Sequence, residues 1–516
     1  MLITADSAFK EKSVLFNNRE AVFIGVCCLI AAARVFLFAA SAPFSADDDE
    51  RAHFDLVYKY AHGWWPSYDK NRGYNDNFDY KPAFLIALYG TLEFYRPLDW
   101  FPEHRVPPPN WRMPQKEAEI RITPIVKFLS RQANHEALSP PVYYLLAAVW
   151  RNLGRLMGIG GGQEIYWVRF LNIPIYILLI ILAVRFVKKY FPEHRLIGWG
   201  VPLLLAVFPQ DAYYLITNDV LSPPLFLAAF MMLLDVVHEE KSVRFHVCAG
   251  LLTAAAVLVK LSNLAILALL VLTAAIKISR LRASKPSGGQ WAFPMALLAA
   301  AGLPIAAWTA YNRVVFHDWL ALKEKSAMLG WTVKPLAQWF DHPLFTPQGA
   351  WVFISDLIKT FWRGEMQWHR VTVAWPAADW LYVISTLLFL TISLVLFIRQ
   401  WKTAPAPLSM FRIFAWCAVA ISVLFLLYSS IKHDWGNCAY PSRAYPYMSS
   451  GRLISGVLVP FLVLYLEGLA AIWRPLQNRL NPLALIIGIV LLTLGSEFYI
   501  WRDIFRSAYN WFHLFN

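Results

Sequence analysis

The chain has 516 residues, is 58% hydrophobic and 16% aromatic, and carries a formal net charge of +13. Soluble domains run at roughly 45–50% apolar, so this composition excludes an ordinary water-soluble globular protein. The basic excess does not point to nucleic acid: in so apolar a chain, Lys and Arg set topology and meet anionic headgroups.

Apolar runs of about 18–22 residues recur along the chain and predict a polytopic all-α membrane protein. The expected spans are 21–40, 166–187, 196–210, 218–237, 244–259, 262–279, 291–315, 379–399, 411–430, 452–473 and 482–500. That makes about eleven (range 10–13), in one transmembrane domain over 1–516. The first follows a basic start (Lys10, Lys12, Arg19) and reads as a retained anchor with its N-terminus inside. The stretch 139–157 is ambiguous. Basic clusters at Arg185, Lys188, Lys189 and Arg195, at Lys241 and Arg244, at Lys277, Arg280, Arg282 and Lys285, at Arg399, Lys402 and Arg412, and at Arg474 and Arg479 decide it. All of them fall inside only if 139–157 lies along the outer surface, so it is expected to be a juxtamembrane helix. The outer segments are then 44–165, 316–378 and 431–451, with short outer turns at 210–218 and 260–263. Cys27, Cys28, Cys248 and Cys417 lie in apolar spans, so no disulfide framework is implied.

The chemistry-bearing residues lie on that outer side. Asp47, Asp48, Asp49 and Glu50 follow the first span, and a helical stripe (Phe54, Val57, Tyr58, Ala61) resumes at once. Asp47 or Asp48 suits an N-cap, with the acids at the positive end of the helix dipole. Asp49 and His53 share a helix face with Glu50 adjacent, a pairing suited to general-base work. Next come His135 and Glu136, before a proline-started helix whose Tyr143 and Tyr144 are expected as interface anchors. Asp211 precedes a turn, and Asn218 or Asp219 would cap the fourth span, with Asp219 also a functional candidate. Lys260 at a tight turn either snorkels or meets a phosphate. The amphipathic run ending in Phe361, Trp362, Arg363, Gly364 and Glu365 reads as a membrane-surface helix, or as a lid or sugar platform. Lys432, His433 and Arg443 precede Gly451 and Arg452, and outer arginines suit bidentate phosphate contacts. Arg34 and Asp235 are expected as bundle-facing structural charges. The chain carries no nucleotide-binding or Cys/His metal motif.

In this order, Asp49-Glu50 with His53, the run His135, Pro140, Pro141, Tyr143, Tyr144, then Asn218-Asp219, Lys260, Phe361-Trp362-Gly364 and Gly451-Arg452 resemble the GT-C superfamily of membrane glycosyltransferases. The likeness is to the protein-mannosyltransferase and aminoarabinose-transferase group and to an uncharacterised bacterial membrane family beside them, over residues 21–473. The resemblance implies an enzyme of the bacterial inner membrane. It would take a sugar from a polyprenyl-phosphate-linked donor and move it to a lipid, glycan or protein acceptor on the outer, periplasmic face. It implies Asp49 as general base, with Glu50 and Asp48 as rivals and His53 alongside. Arg452 and Lys260 would meet the leaving phosphate. Asp219 would orient acceptor, sugar or a metal. His135, Glu136, Tyr143, Tyr144, Asn218, Trp362 and Arg443 would line the substrate site. Some relatives use a divalent cation, Mg or Mn, which here would fall to Asp48, Asp49 and Asp219. The long first outer loop, 62–134, departs from the group and bears on the acceptor. Two other classes compete: a transporter or flippase of lipid-linked glycan, against which stands the absence of an internal repeat, and a non-catalytic subunit of an envelope-glycan complex.

Overall fold

The computed structural model describes residues 18–46, 48–65, 77–284, 288–438, 440–473 and 482–515. Asp47, the side chain of Asp48, the basic residues Lys10 and Lys12, and Lys285, Arg474 and Arg479 fall outside them. Nine helices among the described residues are long and apolar enough to cross a membrane. They are α1 (Asn18–Ser41), α4 (Gly162–Tyr190), α6 (Asn218–His238), α8 (Leu261–Ser284), α9 (Gly289–Phe316), α11 (Pro376–Arg399), α12 (Ala406–Lys432), α13 (Gly451–Trp473) and α14 (Ala484–Trp501). Two shorter apolar helices, α5 (Arg195–Ala206) and α7 (Val243–Val257), stand where the sequence predicts the other two of its eleven spans, but at 12 and 15 residues they fall short of the length that crosses a membrane. The protein is an all-α polytopic membrane protein. Its β-structure among the described residues is two short ribbons, one of which pairs β1 (Thr332–Val333) with β2 (His433–Asp434), and two isolated bridges, Phe44 with Gly90 and Asn77 with Ala133.

Burial ranks the helices. In α13, 89% of the apolar window lies inside the bundle, and in α6, 78%; in α9 the share is 17%. α6 and α13 therefore form the centre, and α9 turns an apolar face outward to lipid. Their partners follow: α7 packs on both α6 and α9, α11 on α13, and α1 on α4. Small residues permit the closest approaches. A Cβ on Gly468 of α13 would collide with the backbone of Phe389 in α11, and one on Gly250 of α7 with the backbone of α9.

The few charges inside the bundle are paired, as a low-dielectric interior requires. Arg34 of α1 reaches Glu497 of α14 at 2.9 Å and donates to the Ala206 carbonyl at 3.0 Å. Arg412 of α12 grips Glu467 of α13 at 2.5 Å. Asp235 pairs with Lys189 at 2.7 Å, near the basic end of the bundle. Arg34 and Asp235 are thus the structural charges expected.

The stretch 139–157 contains α3 (Val142–Leu156), a 15-residue amphipathic helix too short to span. It packs on α2 (Asp48–Ala61) and on the start of α4. A juxtamembrane helix over 139–157 is expected to keep its charges, Arg151 and Arg155, at the interface. Arg151 is buried against Glu164 at 2.6 Å and lies under the Tyr58 ring, so it does not sit at an interface. Tyr143 and Tyr144 are likewise fully buried, and hence core residues, not interfacial anchors. α10 (Pro347–Arg363) is amphipathic as read, with Trp351 and Ile354 exposed and Leu357 and Phe361 buried.

Candidate functional site

At one end of the bundle, opposite the basic clusters, the exit of α1 and the starts of α6, α8 and α13 converge with α2 and the end of α10. The organising side chain is Arg452, one residue into α13. Its Nη2 lies 2.5 Å from Asp49 Oδ2, its Nη1 3.6 Å from Asp219 Oδ2, and its Nε 3.5 Å from Glu365 Oε2. One guanidinium thus faces carboxylates from three separate elements. Gly451 makes this possible: a Cβ there would run into the backbone of Phe361, so only glycine brings α13 against α10. The Gly451 N–H donates to Thr360 Oγ1 at 2.9 Å and fixes the approach.

Each carboxylate is positioned locally. Asp49 lies in the first turn of α2, and its Oδ1 is 3.3 Å from His135 Nε2. Asp219 is fully buried and paired with Lys260. The Thr217 hydroxyl caps this turn by accepting from the Asp219 N–H, a role the sequence reading gave to Asn218 or Asp219. Asn218 instead donates to the Val259 carbonyl at 3.2 Å and ties the two turns together. Glu136 is held by Lys325 at 2.8 Å and by the Ser139 hydroxyl. The Tyr144 hydroxyl sits 2.7 Å from His53 Nδ1 and 3.4 Å from Glu136 Oε2, which links α3 to the cluster. A narrow cavity of about 10 Å³, room for roughly one water, is lined by Asp49, Glu50, His53, Asp211, Thr217 and Arg452.

The electrostatics divide these groups. Burial opposes ionisation of Asp49, but Arg452, His135 and His53 outweigh it and hold the carboxyl well below the usual range. Glu136 is also held down, with Lys325, His53 and His135 overcoming burial. Glu365 and Asp211 move the other way, because burial is only partly offset by Arg452 and, for Asp211, by backbone N–H donors. His53 is lowered, burial prevailing over Glu136, Asp49 and Asp219.

The His53 shift predicts a pH dependence of stability. A histidine whose folded pKa lies below its unfolded value of about 6.5 costs nothing above that pH and is penalised as pH falls beneath it. Asp49 and Glu136 lose their stabilisation only below about pH 4.5, and the raised acids Asp211 and Glu365 oppose the trend. Thermal melts of wild type and His53→Gln from pH 7.5 to 4.5 should therefore diverge. The wild type should lose stability relative to the variant as pH falls, and parallel curves would refute the assignment.

Of the residues expected at the site, Asp49, His53, Asp219, His135, Glu136, Tyr144, Lys260 and Arg452 gather here. Others are placed differently. Glu50 lines the cavity, but its oxygens accept from Arg169 Nε and Nη2 at 2.6 Å each, and from the Ser45 and Ile216 N–H groups at 2.9 and 3.0 Å. It is a structural tie. Trp362 is fully buried, stacked on Tyr382 at 5.0 Å and donating to Thr386, so it offers no platform to a substrate. Tyr143 is as fully buried as Tyr144 but makes none of the hydrogen bonds that tie Tyr144 to His53 and Glu136. Arg443 is exposed and pairs with Asp434 at 2.9 Å, on a separate cavity of about 430 Å³ that it shares with Lys334 and Asp341.

Glu365 and Lys325 also join the cluster; the sequence pattern places Glu365 only at the end of the amphipathic run and gives Lys325 no role. Glu365 follows Gly364, whose φ of +82° and proximity to the Asp211 carboxylate leave no room for a Cβ. A glycine followed by an acid at a helix end was the available signal. Lys325 carries none.

For a cation, the fitting donors are Asp49, His135 and Glu136, whose ligand atoms lie within 4.8 Å of one another. This mixed nitrogen and oxygen set suits Mn better than Mg. Asp219 is not among these clustered donors and faces Lys260 and Arg452.

The arabinosyltransferase EmbB from Mycobacterium smegmatis, solved by single-particle cryo-EM, is similar at 12% identity and a TM-score of 0.43, over 98% of this chain and 44% of that one. The chain therefore spans less than half the length of that structure. No curated protein matches. Residues 34–458, from the buried arginine of α1 to the site-forming start of α13, match the family described as "Predicted membrane protein (DUF2142)", and the chain belongs to that family.

Proposed function

We propose that this protein is a membrane glycosyltransferase of the GT-C type. It takes a sugar from a polyprenyl-phosphate-linked donor and passes it to a lipid, glycan or protein acceptor. The observation that carries this reading is the Arg452 guanidinium, one residue into a buried helix, facing Asp49, Asp219 and Glu365 beside Lys260. A cation shared among several carboxylates can exchange one of them for a phosphate oxygen.

In the proposed reaction the acceptor hydroxyl gives its proton to Asp49, and its oxygen bonds to the anomeric carbon. The bond from that carbon to the phosphate oxygen breaks, and the electron pair leaves with the lipid phosphate. Arg452 and Lys260 meet the developing charge. Asp219 orients both cations, and His135 and Glu136 flank the base. A divalent cation at Asp49, His135 and Glu136 would supply further positive charge. Site orientation rests on charge: Lys188, Lys189, Lys241, Lys277 and Arg280 mark the opposite end of the bundle. By the positive-inside rule this charge distribution supports an outer-face position for the cluster, and the proposal takes the membrane to be a bacterial inner membrane.

The test is binding of a polyprenyl phosphate to the purified full chain in nanodiscs. Replacing Arg452 with Gln removes a charged hydrogen bond to phosphate, worth about 1.5–3 kcal/mol, or roughly ten- to a hundredfold in affinity. Wild-type affinity in R452Q would sink the phosphate assignment.

A further inference from the structure

The acidic cluster poses a problem for any anionic ligand. Asp49, Asp219, Glu136, Asp211 and Glu365 surround Arg452, Lys260 and Lys325, so carboxylates outnumber these cations. A phosphate arriving at Arg452 adds negative charge to a site already short of positive charge. The cost is relieved if one carboxylate takes up a proton.

The geometry identifies which one. Asp49 is fixed by Arg452 at 2.5 Å and by His135 at 3.3 Å. Asp219 has Lys260 and the Thr217 hydroxyl, at 3.1 Å for the latter. Glu136 has Lys325 at 2.8 Å and Ser139. Asp211 accepts the Glu365 backbone N–H at 2.7 Å. Glu365 is held least: its Oε2 reaches Arg452 only at 3.5 Å, and its Oε1 is a buried oxygen with no hydrogen-bond partner among the described residues. The backbone places it firmly even so, through Gly364 and the Asp211 contact. The groups that face it are Arg452 and Ser450 at the start of α13, Asp211 and Asp219 from the turns, and Tyr440 from the loop before α13.

We propose that Glu365 is the proton-exchanging carboxylate of the site, taking one proton from solvent onto Oε1 when a phosphate occupies Arg452 and releasing it when the phosphate leaves. Once neutral, Glu365 no longer repels the phosphate and can donate a hydrogen bond to it, while Asp49 keeps its charge for the acceptor. The upward shift of Glu365 in the free protein agrees with this. The inference rests on the phosphate site of the proposed function and adds a residue and a linked proton to it.

The experiment is calorimetric binding of farnesyl phosphate to the full chain in detergent, in buffers of differing ionisation enthalpy at about pH 6.5. Proton exchange by the probe's own phosphate is common to every variant, so differences between variants report the protein. Wild type should take up more protons than Glu365→Gln, by an amount approaching about one, and D49N should match wild type. If E365Q does not fold, E365D serves: uptake should persist with its pH midpoint displaced. Equal uptake in wild type and E365Q, or loss of uptake in D49N, overturns the role of Glu365. Failure of wild type to bind the probe overturns instead the phosphate site itself, and this inference with it.

Discussion

Asp49→Asn is expected to reduce transfer from a polyprenyl-phosphate-linked sugar by about 10²–10⁴-fold, the usual contribution of a positioned general base. The reason is geometric. Asp49 presents a carboxylate from the first turn of α2 directly against Arg452, at 2.5 Å, where the donor phosphate is proposed to sit. In the free protein that arginine holds the carboxyl well below its ordinary range, against the opposing effect of burial. A phosphate that draws Arg452 toward itself weakens this hold, so Asp49 gains basicity as the donor arrives. Asn keeps the size and loses the charge, leaving Arg452 with Asp219 and Glu365. Asn also gives up the ion pair with Arg452, so the melting temperature should fall, but by less than on breaking a fully enclosed pair, because the Asp49 side chain is 28% exposed. The assay is transfer in proteoliposomes with the folded variant, and undiminished turnover by D49N would remove Asp49 from the role of base.

The adjacent acid should behave in the opposite way. Glu50→Gln, or Arg169→Met, is expected to cost about 3–5 kcal/mol of stability, the typical result of removing one partner from a buried ion pair. Glu50 and Arg169 are both fully enclosed. The carboxylate accepts from four N–H groups, and the guanidinium also donates to the carbonyls of Ala39 and Pro43 at 3.0 and 2.9 Å, and of Ala42. Together they bind the end of α1, the start of α2, the first part of α4 and the turn before α6. Removing Glu50 strands a buried cation and two backbone N–H groups. The double variant E50Q/R169M should recover part of the loss, because no unpaired charge then remains. Thermal unfolding at fixed scan rate in one detergent gives the comparison. A melting temperature for E50Q no lower than that of D49N would refute the structural role.

Asp49 and Glu50 are neighbours in the chain and yet part in role, which a sequence alone does not decide. Hydropathy determined the architecture by itself. A 20-residue apolar run has one stable form in lipid, a helix that satisfies its own backbone, so the nine long helices were legible without tertiary contacts, whereas α5 and α7 proved shorter than the spans expected there. Charge added two further readings: the cost of an ion in an apolar span marks Arg34 and Asp235 as structural, and the distribution of basic clusters marks 139–157 as a helix that does not span. The site was legible in outline, because Asp49, Asp219, Lys260 and Arg452 each stand at the end of an apolar run.

Tertiary structure alone decided which acid does what. Asp49 and Glu50 have the same charge and neighbourhood in the sequence. α2 turns Glu50 inward onto Arg169, 119 residues away, and Asp49 across to Arg452, 403 residues away. Trp362 reads as an aromatic platform until α10 presses it onto Tyr382, and Arg443 as a phosphate ligand until Asp434 claims it. Glu365 has only the glycine before it as a signal, and its place depends on the positive φ of that glycine and on a carboxylate from another turn. Spans are set by free energy of transfer, a local property of the chain. The role of a charge is set by which distant partner shares its desolvated pocket, and that exists only once the helices have packed.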